Sequence, residues 1–146
     1  MGLFDKVLGN RAEVSLSTQE AFAGVMLAII AADGHISDEE AQGFNATVGR
    51  MKLFRVQSAA EHSAMIDKLF GILKRIGSEQ LLRKSAEALR SDLKETAFAV
   101  VADLVFADGS VEDEERRSLE ALQMQLAIPE SLALEIVRVV EIKNRG

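Results

Sequence analysis

The chain predicts an all-α fold, a compact bundle of about seven or eight helices, and three observations carry that prediction. A single proline, Pro129, and ten scattered glycines leave long stretches rich in Ala, Leu, Glu and Arg, which favour helix over sheet. Apolar residues recur at helical spacing along most of the chain. The string Ala32-Asp33-Gly34-His35-Ile36-Ser37-Asp38-Glu39-Glu40 returns 75 residues later as Ala107-Asp108-Gly109-Ser110-Val111-Glu112-Asp113-Glu114-Glu115, with six of nine positions identical. Apolar residues precede both copies, at 25–31 and 100–106, and Phe44 and Leu119 follow at matching positions. The repeated unit is therefore a helix, a sharp Asp-Gly turn and a second helix, and two such hairpins are expected to pair about a pseudo-twofold axis in one domain, 1–146, with repeat units at about 18–54 and 92–128.

The elements follow in order. Leu3, Phe4, Val7 and Leu8 form a short apolar stripe that suits a membrane surface, a docked turn of helix or a frayed terminus. Thr18 can cap a helix that runs through the apolar residues 21–32 and stops at Asp33-Gly34; being apolar nearly all round, it should be central. Ser37 and Glu40 make a capping box for the next helix, which turns Ala41, Phe44, Val48 and Met51 inward. From Gln57 to Ile76 helical spacing continues, Gly77-Ser78 marks a break, and a short helix follows through Leu89. The second copy starts with Ser91 or Asp92 as cap and stops at Asp108-Gly109; its partner helix runs from Glu112 to about Leu126. Pro129 at the first position leads the last helix, with Leu132, Ile136, Val139 and Val140 on one face.

Composition narrows the function. The net charge of −6 and pI near 5.0 oppose nucleic acid as a partner and suit cations or basic protein surfaces. The absence of cysteine removes disulfides, thiolate nucleophiles and thiolate metal sites, and fits a reducing compartment. The longest apolar run is shorter than the ~20 residues a transmembrane helix needs, and no signal peptide opens the chain, so a cytoplasmic protein is expected. Lys6 occupies the Ser/Thr position of the myristoylation pattern, which therefore fails.

Specific chemistry is expected at the two turns. Asp33 and Asp108 each end a helix, where the macrodipole disfavours an acidic side chain by a few tenths to about 1 kcal/mol. Either the backbone of the following helix compensates, making a structural turn, or a divalent cation does, held by Asp33/Glu40 in the first loop and Asp108/Glu115 in the second. The EF-hand pattern is absent, and one loop alone is short of ligands for Ca²⁺. Asp103 interrupts an apolar helix where the first copy has Ala28, so it needs a partner: a helix start, or a metal beside Asp108. His35, replaced by Ser110 in the second copy, is either an exposed turn residue or a transition-metal ligand, and His62 has no companion at ligand spacing. No Gly-rich phosphate loop, nucleophile elbow or H-E-x-x-H motif is present, so no enzyme is expected; a hydrolase built on carboxylates and a metal is the distant alternative.

These residues resemble the TerB-like tellurite-resistance family, an all-helical domain related to the N-terminal domain of a membrane-anchored DnaJ-like co-chaperone. The matching pieces are Leu3-Phe4-Asp5-Lys6-Val7, the first motif from Ala31 to Glu40 and the second from Val101 to Glu115, and the resemblance spans most of the chain from the first piece to the last. It implies a bacterial stress-associated protein that acts near the inner membrane by binding cations and other proteins. It also implies that the acidic signature falls on Asp33 and Glu40 in the first repeat and on Asp103, Asp108 and Glu115 in the second. Ca²⁺, Mg²⁺, Mn²⁺ and Zn²⁺ are the candidate ions, and no organic cofactor is expected. Two departures make the loops unequal: His35 has no counterpart at Ser110, and Glu112 is a poorer helix cap than Ser37. The sequence offers no thiol chemistry that could reduce or capture tellurite directly.

Overall fold

The computed structural model describes residues 14–107, 111 and 113–146, the last stretch without the side chain of Glu114. Helix α1 (Thr18–Ile30) is the axis of the bundle: every residue from Ala21 to Ile30 is buried. It packs most extensively on α3 (Ala59–Ala88) and also touches α2 (Asp38–Arg50), α4 (Lys94–Val105) and α5 (Asp113–Gln125). The outermost helix, α6 (Glu130–Lys143), leans on α4. Short 3-10 turns at Lys52–Phe54 and Ser91–Leu93 make the corners before α3 and α4, and Phe54 closes the core by meeting Phe22 edge to face, ring centres 6.1 Å apart.

The expected seven or eight helices become six α-helices among the described residues, for two reasons. The apolar stripe of the first residues lies outside them, and the two helical segments on either side of Gly77 run end to end across the expected break, a kink at that glycine (φ 86°, ψ 167°), and are counted together as α3. A single residue in that glycine-favoured region redirects the chain without a loop.

Helix starts are set by local side-chain chemistry. The cap of α1 is Ser17 and not Thr18: Glu20 stands three residues after Ser17, and the pair closes a reciprocal box (Ser17 N–H to Glu20 Oε1, 2.8 Å; Glu20 N–H to Ser17 Oγ, 3.1 Å). Position three after Thr18 is Ala21, which cannot reciprocate. The same box forms at Ser37/Glu40 for α2, as expected, and at Ser58/Glu61 for α3. Helix α4 has no side-chain cap; Ser91 and Asp92 go into the 3-10 turn before it. Pro129 is the cap of α6, one position earlier than expected.

The α1–α3 contact depends on two small residues. Gly24 faces Ser85, and a Cβ at Gly24 would lie 2.3 Å from Ser85 Oγ and 3.2 Å from its Cβ. Ser85 is fully buried and its hydroxyl has no hydrogen-bond partner.

Candidate functional site

The joint between α1 and α2 carries three of the residues singled out by the sequence. The last turn of α1 closes with Ala31 N–H on Leu27 O (3.0 Å) and Ala32 N–H on Ile29 O (3.2 Å). Gly34 then takes φ 82°, a left-handed conformation that reverses the chain and is open to glycine at little cost. The turn is locked by Asp33, whose Oδ1 accepts the His35 N–H at 2.9 Å. At the far side Glu40 Oε1 accepts the Ser37 N–H at 3.0 Å, and Ser37 Oγ accepts the Glu40 N–H at 3.1 Å. Asp33 and Glu40 thus hold the two ends of one turn through backbone amides. Asp33 and His35 are exposed, whereas Glu40 is half-buried and its second oxygen, Oε2, is shut away from water with no hydrogen-bond partner.

In the second joint Asp108 lies outside the described residues, as do Gly109, Ser110 and Glu112. Glu115, at the position equivalent to Glu40, is more deeply set, with 8% of its surface exposed.

Asp103 does not join this loop chemistry through its described contacts, and its surroundings correct the expectation of a carboxylate buried in an apolar helix. Its side chain is about one-third open to solvent, and its Oδ1 accepts hydrogen bonds from Lys143 Nζ and Asn144 Nδ2, each at 3.0 Å. The partner is a helix end and not a helix start, since Asn144 caps the C-terminus of α6. Burial works against the charged form, but the Asn144 and Lys143 hydrogen bonds, with the charges of Lys143 and Arg50, outweigh it. They hold the carboxyl below its ordinary 3.8. Asp103 therefore pins α6 to α4.

Among the described residues, no three His, Asp or Glu side chains converge in a way that could hold a metal by themselves. The sequence missed Lys143 and Asn144; the one available signal was a cation and an amide at the end of the last helix, 40 and 41 residues after an unexplained aspartate. It also missed Lys68, which reaches from α3 to the carbonyl of Ser15 and to Glu20 Oε1, both at 2.9 Å, and so ties the N-terminal end of α1 to α3. Comparison with known proteins finds no matching family model, no matching curated protein and no matching solved structure.

Proposed function

We propose that this is a non-enzymatic binding module of the TerB-like kind, a bacterial metal-stress protein whose acidic joints hold a divalent cation and whose surface meets protein partners near the inner membrane. The observation that supports the cation is Glu40 Oε2. A carboxylate oxygen withdrawn from water without a donor carries uncompensated negative charge, and a cation at the mouth of the turn relieves it. Asp33, at the other end of the same turn, is the second ligand. Two carboxylates leave most coordination positions to water and loop carbonyls, which suits a cation that keeps several waters, as Mg²⁺ does, better than Ca²⁺. We read the two hairpins as one duplicated unit: α2 and α5 are each 13 residues long and stand at the same offset as the repeated string. The module acts by binding, in the cytoplasm, without turnover.

A second reading, in which the joints only shape the fold, draws on the capping bonds, since Asp33 Oδ1 and Glu40 Oε1 already serve backbone amides. Glutamine keeps a capping box and asparagine keeps the turn, but both lose the charge. Calorimetry of metal-stripped protein with Ca²⁺, Mg²⁺, Mn²⁺ and Zn²⁺ should therefore show saturable binding that Glu40→Gln abolishes while leaving the melting temperature of the metal-free protein unchanged. Absence of binding heat with all four ions would overturn the cation reading and leave the structural one.

A further inference from the structure

Helices α5 and α6 follow one another in the chain yet scarcely touch; each packs on α4 instead. The slot left between them encloses about 580 Å³ and is lined by Phe98 of α4 and Phe106 at its end, Leu119 and Met124 of α5, and Leu134 and Val137 of α6. The connection holds it open. Leu126 and Ile128 are buried, Ala127 between them takes φ 54°, a left-handed conformation that is costly without glycine, and Gln123 Nε2 donates to the Ile128 carbonyl at 3.3 Å. Closing the two helices on each other means undoing that turn.

The two lips of the slot carry the same pair of side chains. Met124 on α5 is 80% exposed and Leu134 on α6 is 64% exposed, and one helical turn before each stands an exposed glutamate that also lines the slot, Glu120 and Glu130. Open apolar lips over an apolar floor mark a surface that is covered in use.

We propose that this slot is the docking groove for a cationic amphipathic helix of a partner protein, whose apolar stripe lies on Phe98, Phe106 and the two lips while its Lys or Arg side chains meet Glu120 and Glu130. The lips decide against a small ligand, which would fill the hollow and leave Met124 and Leu134 in water; a helix laid along the slot covers both. Charge decides against a second copy and against an anionic membrane. Both lips are acidic, α5 and α6 each carry more acidic than basic residues, and the whole chain has a net charge of −6. Methionine at a lip adapts to the side chain it meets. Arg116, one turn before Glu120 on the α5 wall, meets the carbonyl end of the docked helix and favours one direction for it. The proposal rests on the partner-binding half of the reading above and is independent of the cation.

The probe is a synthetic helix of about 14 residues, four turns, with leucines on one face and lysines on both flanks, offered in the presence of chelator to the full chain labelled at its methionine methyl groups. The expected result is saturable binding that shifts the Met124 methyl signal and leaves those of the buried Met26 and Met65 in place. Leu134→Asp should weaken binding by about tenfold or more, and Glu120→Gln with Glu130→Gln should weaken it and flatten its salt dependence. Ile142→Asp, exposed on α6 outside the slot, should change nothing, and the far-ultraviolet dichroism of every variant should match wild type. Absence of binding would overturn the proposal, as would equal affinity for a scrambled peptide, for one with glutamate in place of lysine, or in Leu134→Asp. So would a wild-type dimer in sedimentation that Leu134→Asp dissolves, which puts a second copy in the slot, or a Met124 signal that Phe4→Asp moves without peptide, which puts the start of the chain there. None of these results touches the metal titration, so the two readings fail separately.

Discussion

Replacing Gly24 by alanine should destabilise this protein, although the same change at an open helix position stabilises one. Alanine gains about 0.8–1.0 kcal/mol over glycine in a helix interior. At Gly24 the new Cβ lands 2.3 Å from Ser85 Oγ, 3.2 Å from Ser85 Cβ and 3.5 Å from Leu69 Cδ2. The Oγ contact is the severe one, far inside the distance any real Cβ tolerates, whereas the Cβ–Cβ approach needs only a few tenths of an ångström of give. Overpacking of this kind costs typically 1–3 kcal/mol, and the 2.3 Å approach to a fully buried hydroxyl puts it near the upper figure, so the net loss is about 2 kcal/mol. Removing Ser85 Oγ reverses most of that. The hydroxyl has no partner, so Ser85→Ala alone should be neutral or stabilising by up to about 1 kcal/mol. In that background Gly24→Ala keeps only the 3.2 Å and 3.5 Å contacts and should be close to neutral. Urea denaturation of the four proteins of the cycle should give a coupling of about 2 kcal/mol between the sites. Gly49→Ala in α2, where an added Cβ meets nothing within 4 Å, is the control and should gain about 0.5–1 kcal/mol. Equal effects of Gly24→Ala with and without Ser85, or a gain matching that of Gly49→Ala, would refute the reasoning.

Gly34→Ala meets no atom within 4 Å, so its cost is that of the left-handed backbone alone, about 1–2 kcal/mol, and Gly34→Asn should cost visibly less. Equal losses for the two variants in urea titrations would show that the turn is not what holds φ positive. Asp103 should make stability pH-dependent. Its folded pKa lies below the ordinary 3.8, so its contribution is present above that value and is lost as pH falls through the folded one. The group is about one-third exposed, so the contribution is discounted to about 0.5–1 kcal/mol at pH 7. Wild type should therefore lead Asp103→Asn at pH 7, and the lead should vanish as the pH falls through the lowered folded pKa; parallel curves over that descent would exclude the pairing with Lys143 and Asn144.

Signals within four residues of one another were legible in the sequence. The Ser37/Glu40 box, the Gly34 turn, the break at Gly77 and the central character of α1 all follow from spacing alone, because each is decided by neighbours on the same turn of chain. The Ser17/Glu20 box was equally local and was misread by one residue, since Thr18 is also a capping type and only the reciprocal glutamate distinguishes the two. Partners far along the chain were not legible. Asp103 announced that it needed a donor, but nothing local marks Lys143 and Asn144 as the donors. Gly24 and Ser85 are ordinary small residues until the packing of α1 on α3 brings them together. The carboxylates divide in the same way: the backbone duties of Asp33 and Glu40 follow from their positions, whereas the withdrawal of Glu40 Oε2 from solvent depends on tertiary packing.

A helix buried on every side also has a history during synthesis. Helix α1 emerges from the ribosome long before α4 and α5, two of the surfaces that cover it. At translation rates of about 5–20 residues per second the apolar segment 21–32 waits for several seconds without its full set of neighbours. Over that interval it exposes apolar surface in the nascent chain; α2 emerges next and touches it, but α3, which packs on it most extensively, is its main early shelter. Destabilising the α1–α3 contact should therefore lower the yield of soluble protein in cells by more than the equilibrium loss suggests, because the damage falls while the remaining helices are still being made.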